Sequence, residues 1–176
     1  MVLLILWSTA KVSGVVIVFG WSESGSNAVA GRKIRGNGEM AIKLKKGIKT
    51  LVAEAEAAIT TLSTEEAIKR YMDEDLVFVD IRDIRELERD GTIPKSVHAP
   101  RGMLEFWFDP ESKYHKEVFG DENKTYVLFC AAAWRSALAT KTLQDMGFSN
   151  VVHFSEGFGG WKEGGGSISS VKKRIS

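Results

Sequence analysis

Cys130 is the residue of this sequence best placed to act as a nucleophile. It is the only cysteine, and it follows an apolar run at residues 126–129 that is typical of a buried strand. Arg135 and Ser136 come shortly after it, where an amphipathic helix begins. A strand, a tight loop and a helix N-terminus form an anion cradle, because the first backbone N–H groups of a helix are unpaired and its dipole adds partial positive charge. We therefore expect Cys130 to be present as a thiolate.

The loop after Cys130 supplies the remaining parts of the predicted site. Its six residues carry backbone N–H groups that can point toward one sulfur atom, and an arginine adds a permanent positive charge that suits an anionic substrate. Cys130 is the predicted catalytic residue. The predicted substrate-binding residues are Ala131, Ala132, Ala133, Trp134, Arg135, Ser136 and Arg82.

Three of these side chains also have a structural interpretation. Arg135 could form a surface salt bridge instead of binding an anion. Arg82 could pair with Glu86, which lies four residues later, a spacing that brings side chains together on a helix. Trp134 could either line the pocket or pack between helices. The histidines His98 and His153 are expected to be structural, because a thiolate needs no general base.

Composition excludes several other classes of function. A chain of 176 residues that is 44% apolar and 27% charged suits one globular domain with extensions. Its formal charge of +1 predicts no nucleic-acid partner. A single cysteine excludes both an intramolecular disulfide and a Cys-x-x-Cys dithiol mechanism. The three histidines have no metal-ligand spacing, so we expect no metal and no cofactor.

Residues 1–39 differ from the rest of the chain, and three interpretations remain open. A signal peptide would explain two apolar runs and an Ala-Val-Ala pattern at residues 28–30, but a positive n-region is missing. A membrane anchor is disfavoured because Lys11 interrupts the apolar segment. A third interpretation is that this extension is disordered and not native to the fold, with Met40 as the working start. We accordingly predict a cytoplasmic protein without membrane contact, exported or anchored only if residues 1–39 are a genuine signal or anchor.

The remainder of the chain predicts an α/β fold. We expect an N-terminal helix within residues 40–62, a domain at residues 63–165, and a flexible tail at residues 166–176. Within the domain, strands near residues 76–79, 96–100, 126–129 and 151–154 alternate with helical segments. Such alternation indicates a parallel sheet with helices on both faces.

Several motifs, taken together and in this order, resemble those of single-domain rhodaneses. The resemblance extends from about Ser63 to Lys162. It rests on Val79-Asp80-Ile81-Arg82 with Glu86, Gly91-Thr92-Ile93-Pro94, His98-Ala99-Pro100, Cys130 to Ser136, Gly147-Phe148 with Val151, and Gly157-Phe158-Gly159-Gly160-Trp161. The sequence departs from the family pattern at Thr92, at Lys95-Ser96, at Ala133 and at Glu156; the last two stand where glycine is common.

This resemblance implies a sulfurtransferase that works through a persulfide on Cys130. The implied donor is a small anion such as thiosulfate or another persulfide, and the implied acceptor is cyanide or a thiol. Two alternatives stay open. One is a non-catalytic or redox-sensing partner-binding module, in which Cys130 is oxidised. The other is a phosphatase of the dual-specificity kind, which resembles rhodanese in fold but uses Cys-x5-Arg, one residue longer than the spacing here.

Overall fold

The computed structural model describes residues 44–172, together with the backbone of residues 11–12 and 15–16. The chain divides into two compact units, residues 1–42 and residues 43–176. In the first unit, β1 (Lys11–Val12) pairs antiparallel with β2 (Val15–Val16). The three interpretations of residues 1–39 otherwise concern residues outside the described part. Among the described residues, no helix is both long enough and apolar enough to cross a membrane.

A five-stranded parallel sheet forms the centre of the second unit. Its spatial order is β3-β7-β6-β4-β5, so the strand that precedes Cys130 lies in the middle. The strands are β3 (Thr61–Leu62), β4 (Leu76–Asp80), β5 (Val97–His98), β6 (Thr125–Phe129) and β7 (Val151–Phe154). The predicted parallel α/β fold is confirmed, and ligands of such sheets bind beyond the carboxyl ends of the strands.

Within residues 44–172, six α-helices surround the sheet. They are α1 (Ile48–Ala58), α2 (Thr64–Arg70), α3 (Ile84–Asp90), α4 (Leu104–Phe108), α5 (Trp134–Asp145) and α6 (Gly157–Glu163). Both α2 and α3 begin with a capping box, in which Ser63 or Asp83 and the Glu three residues later each accept a backbone N–H of the other. These local signals fix where the two helices start.

Strand β6 shows why both faces of the sheet are covered. Tyr126 and Leu128 point into one apolar cluster with residues of α4 and α5. Val127 and Phe129 point into a second cluster with residues of α2 and α6. Because successive side chains of a strand alternate between faces, a strand buried on both faces reads as a continuous apolar run.

The N-terminal helix is shorter than the sequence suggests. The apolar pattern predicts a helix within residues 40–62, whereas α1 begins after Gly47 and β3 occupies Thr61–Leu62. Val52 and Ala55 are buried, but Leu44 and Ile48 are more than half exposed. Only part of the apolar stripe is therefore buried, because α1 packs chiefly along α5 and covers little of the sheet.

The start of the predicted flexible tail is attached to the domain. Ser169 forms an antiparallel bridge with Thr92, with both backbone N···O distances at 2.9 Å. Trp161 Nε1 donates to the backbone carbonyl of Ser167 at 2.9 Å. Residues 166–169 therefore belong to the packed structure, and this part of the tail prediction is corrected.

Candidate functional site

Cys130 lies directly after the central strand, at the carboxyl edge of the sheet. Cys130 is 1% exposed and belongs to the same apolar cluster as Leu128 and Ala139. The neighbouring strands β4 and β7 run parallel to β6, so their carboxyl ends flank it. Burial of this kind shelters the thiol within the sheet.

The loop after Cys130 turns sharply into α5. Ala133 adopts a left-handed conformation with φ of 61°, immediately before the first helical residue. The N–H of Trp134 donates to the carbonyl of Ala132 at 2.8 Å. The sequence predicts six N–H groups that can point toward one sulfur atom. The number is smaller, because the Trp134 N–H is already bonded within the loop.

The N-terminus of α6 holds the loop in this shape. Phe158 N–H donates to the Cys130 carbonyl at 2.7 Å, and Gly159 N–H donates to the Ala131 carbonyl at 2.9 Å. In a trans peptide the N–H points opposite to the C=O. The N–H groups of Ala131 and Ala132 consequently point away from α6.

Gly157 makes this close approach possible. A Cβ atom at this position would lie 2.5 Å from the Cys130 carbonyl oxygen and 2.8 Å from the Ala133 nitrogen. Its φ of 59° is also one that favours glycine. The loop and α6 therefore fit together only because residue 157 has no side chain.

Arg135 is paired with a carboxylate from α3. Its Nη1 and Nη2 atoms donate to the two carboxylate oxygens of Glu86 at 2.8 and 2.9 Å. The Glu86 carboxylate raises the pKa of Arg135, with a smaller contribution from Cys130, and Arg135 lowers the pKa of Glu86. The salt-bridge interpretation of Arg135 is therefore confirmed, and anion binding by Arg135 stays a prediction.

Arg82 has a different partner from the one expected. Its guanidinium donates to both carboxylate oxygens of Asp80, with the shortest distance 2.7 Å, and to the Gly91 carbonyl at 2.7 Å. It also stacks over the ring of Phe158 at 3.9 Å. Because Arg82 is 1% exposed and bonded to Asp80 and Gly91, its role is structural, and the prediction of a substrate contact is corrected. Its contact with Phe158, which follows Gly157 in the first turn of α6, helps to hold that helix in place.

A short chain of polar side chains extends from Cys130 through the interior. Ser136 Oγ lies 3.7 Å from Cys130 Sγ, 2.9 Å from the Ala133 carbonyl and 3.4 Å from His153 Nδ1. The other ring nitrogen of His153, Nε2, lies 2.9 Å from Thr61 Oγ1. Burial lowers the pKa of His153 to about 4, so the imidazole is neutral at pH 7.

The remaining loop side chains are small or exposed. Ala131 is half-buried and Ala132 is exposed, whereas the Trp134 side chain is 48% exposed beside the loop. The structure thus brings Cys130 and the whole predicted loop together and removes Arg82 from that group. Sequence reasoning did not identify Glu86 as the Arg135 partner, Gly157 as the loop support, or His153 as the neighbour of Ser136. It also did not identify Thr61 as the partner of His153.

The rhodanese-like domain family accounts for most of this chain. The model of that family matches residues 63–164, and the chain belongs to it. The predicted resemblance is therefore confirmed. The family includes proteins that are named as sulfur transferases, so the chain belongs to a sulfur-transfer family. Membership implies a sulfur donor and a sulfur acceptor in general terms.

Three relatives illustrate the range of the family. A structure from Rhodopseudomonas palustris, described as a protein of unknown function and possible tyrosine phosphatase, is 49% identical, covers 74% of this chain and 100% of its own, and has a TM-score of 0.71. A polysulfide-sulfur transferase homodimer from Wolinella succinogenes is 30% identical over 70% of this chain and 88% of its own, with a TM-score of 0.54. A candidate sulfur carrier protein, YrkF of Bacillus subtilis, is 32% identical over 111 residues, or 62% of this chain. The match covers 54% of that relative, so this chain spans about half its length.

Proposed function

We propose that this protein is a sulfurtransferase that carries a sulfane sulfur as a persulfide on Cys130. The observation that supports this most directly is the position of Cys130, at the end of the central strand and at the base of a loop whose arginine follows after four residues. Ala131 to Ser136 form the proposed binding loop, with Trp134 at its rim. The proposed donor is a small anion such as thiosulfate or a polysulfide.

The first proposed step loads the cysteine. The Cys130 thiolate attacks the outer sulfur of thiosulfate, a bond forms between the two sulfurs, and the donor's S–S bond breaks. The electron pair of that bond leaves with sulfite. Negative charge moves from Cys130 to the leaving group, and the loop N–H groups with Arg135 stabilise it throughout.

The second proposed step unloads it. A cyanide carbon or an acceptor thiolate attacks the outer sulfur of the persulfide, and the S–S bond to Cys130 breaks. The electron pair returns to Cys130 Sγ, which becomes a thiolate again. The product is thiocyanate or a new persulfide, and no net oxidant or reductant is consumed.

Loop length favours sulfur transfer over phosphoryl transfer. The Rhodopseudomonas palustris relative is described as a possible tyrosine phosphatase, which makes phosphoryl transfer the activity to compare. In this chain only four residues separate Cys130 from Arg135, and one loop N–H is engaged with Ala132. In this proposal the remaining donors serve one sulfur atom, whereas a phosphoryl group presents three equatorial oxygens that each need a donor.

The decisive experiment measures the two candidate enzyme activities on the same preparations. Wild type and Cys130→Ser would be assayed for thiosulfate:cyanide transfer and for aryl-phosphate hydrolysis. Intact mass would be recorded after thiosulfate and again after cyanide. We expect thiocyanate formation, one added sulfur that cyanide removes, and little phosphate release. The serine variant should lose transfer by more than about tenfold, because a barrier change of about 1.4 kcal/mol corresponds to that factor.

Two outcomes would count against the proposal. Efficient phosphate release by wild type without a persulfide would favour the phosphatase. Absence of both activities, together with oxidation of Cys130 by peroxide, would favour a redox-sensing module. His115→Leu serves as a control variant, because His115 precedes the amino end of β6, at the opposite edge of the sheet from Cys130.

A further inference from the structure

Ser136 has one hydroxyl proton and three polar neighbours. The Ala133 carbonyl at 2.9 Å can only accept it, and so can Cys130 Sγ at 3.7 Å when the cysteine is a thiolate. His153 Nδ1 at 3.4 Å can either accept that proton or donate its own, depending on the tautomer. If Nδ1 accepts, the serine proton is drawn away from the sulfur. If Nδ1 donates, only the Ala133 carbonyl and Cys130 Sγ share the serine proton.

Strand β3 provides a partner for the second of these arrangements. Thr61 and His153 are directly paired across the β3–β7 ladder, and Thr61 Oγ1 lies 2.9 Å from Nε2. Thr61 is exposed, so its oxygen can accept from water while its proton points inward to Nε2. An Nε2 that accepts a hydrogen bond leaves the ring proton on Nδ1.

We propose that His153 is a positioning residue for Cys130: as the Nδ1–H tautomer set by Thr61, it donates to Ser136 Oγ and so leaves the Ser136 proton to the Ala133 carbonyl and Cys130 Sγ. Its effect on sulfur transfer rests on the function proposed above. Its effect on the charge of the cysteine sulfur does not, and can be measured separately. A hydroxyl donor stabilises a thiolate more than a thiol, because hydrogen bonds to charged groups are the stronger ones.

Other charged groups near Cys130 stay unchanged when His153 is replaced. Arg135 of α5 is paired with Glu86 of α3, and Arg82, which follows β4, is paired with Asp80. The His153 ring is buried and neutral at pH 7, so its removal deletes a dipole and a hydrogen-bond donor without deleting a charge. A shift in cysteine reactivity that His153→Leu causes and His153→Asn reverses therefore reports on the hydrogen bond to Ser136.

The main test follows alkylation of Cys130 by iodoacetamide across pH. An asparagine at position 153 can present an N–H donor where Nδ1 was, whereas a leucine of similar size presents none. We expect His153→Leu to move the midpoint of the alkylation profile upward by about 1 pH unit, since a hydrogen bond to a charged group corresponds to about that shift. His153→Asn should restore most of it. Thr61→Val should give a smaller upward shift, and the control His115→Leu none.

A second measurement addresses the tautomer directly. Nitrogen-15 NMR of the folded protein distinguishes a ring protonated at Nδ1 from one protonated at Nε2. We expect the Nδ1–H form in wild type and a mixture in Thr61→Val. An Nε2–H ring in wild type, or equal alkylation profiles for His153→Leu, His153→Asn and wild type, would overturn the proposal.

Sulfur transfer separates this inference from the proposed function. If the protein transfers sulfur, His153→Leu should lower the rate of persulfide formation several-fold at pH 7, and His153→Asn should recover it. If no variant transfers sulfur but the alkylation shifts occur, the proposed function fails and the role of His153 stands. Circular dichroism of each variant confirms that the comparison is made between folded proteins.

Discussion

Arg135 donates both terminal guanidinium nitrogens to the two carboxylate oxygens of Glu86. The pair joins the first turn of α5 to the first turn of α3, and the two side chains are 42% and 21% exposed. The positive charge beside Cys130 is therefore already balanced in the free protein. An incoming anion must share Arg135 with Glu86.

Removing the Glu86 charge should strengthen the binding of an anionic donor. For Glu86→Gln we expect the KM for thiosulfate to fall by about two- to fivefold, because exposed ion pairs of this kind contribute less than about 1 kcal/mol. The KM for an uncharged organic trisulfide should not change. Glu54→Gln, in an exposed pair with Lys46, is the matched control. An equal fall for both donors would show that Glu86 acts through loop shape and not through charge.

Ala133→Gly should stabilise the protein. Ala133 has φ of 61°, a left-handed conformation that costs a residue with a Cβ about 1–2 kcal/mol. Glycine removes that cost but gives the unfolded chain more freedom, so the net gain should be up to about 1 kcal/mol in the free energy of unfolding. Urea denaturation measures it. The neighbouring Ala132, which has a negative φ, provides the control, since Ala132→Gly should lower stability. Matching losses in the two variants would contradict the strain argument.

Gly157→Ala should damage the loop beyond its backbone cost. The added methyl would meet the Cys130 carbonyl and the Ala133 nitrogen at distances that real Cβ atoms do not adopt. We expect a loss of about 1–3 kcal/mol in unfolding free energy and slower sulfur transfer. Gly165→Ala is a close control, because Gly165 also has a positive φ, of 78°, but open space around its Cβ position. If both variants lose stability and activity equally, contact with the loop is not the cause.

Lengthening the loop should change its selectivity. One glycine inserted after Ala132 gives the Cys-x5-Arg spacing and widens the space between the N–H donors. We expect sulfur transfer to fall by about a hundredfold, because a well-placed donor contributes roughly 3 kcal/mol to such catalysis. Hydrolysis of aryl phosphate should rise. Inserting the glycine after Lys113, at an exposed position between α4 and β6, controls for chain length alone. Unchanged sulfur transfer in the loop variant would show that loop length does not set the chemistry.

His153 should make the protein less stable as the pH falls below neutrality. Its pKa is about 4 in the folded state and about 6.5 in the unfolded state, so the unfolded chain binds the proton first. Stability contributed by the neutral ring is complete above about pH 6.5 and is lost progressively toward pH 4, by at most about 3 kcal/mol. Urea midpoints between pH 4 and pH 7 test this. His153→Leu should flatten the dependence in that window, and a slope equal to that of wild type would assign it to other groups.

The sequence predicts the alternation of elements well, because that signal is local. Apolar periodicity, the capping box at Ser63 and the glycine after α5 lie within a few residues of the structure they determine. Strand β3 is missed for the opposite reason. Two residues carry no periodicity of their own, and Thr61–Leu62 is a strand only because β7 offers it an edge.

Side-chain partners are harder to predict than elements. Helical spacing predicts that Arg82 pairs with Glu86, but Arg82 precedes the N-cap of α3, where helical geometry does not apply. Its partner is instead Asp80, two residues earlier. Glu86 therefore reaches Arg135, which is 49 residues away in sequence. Contacts over such separations depend on the packed fold and leave no local pattern.

Three departures from the family pattern coincide with residues of positive φ. Lys95, Ala133 and Glu156 are the described non-glycine residues with positive φ, at 63°, 61° and 61°. All three are positions at which the sequence differs from that pattern. These three residues thus adopt the positive φ that favours glycine, although none of them is glycine.

Strand order also determines when the surroundings of Cys130 can be completed during synthesis. The Thr61–His153 contact spans 92 residues, and β3 has no partner strand other than β7 in the five-stranded sheet. While the ribosome makes the chain, β4 and β6 can pair before β7 has emerged. Thr61 can pair only after β7 has emerged, and the loop after Cys130 can be held in place only after α6 has emerged. Cys130 is therefore enclosed late, and the last third of the chain controls when its thiol becomes sheltered.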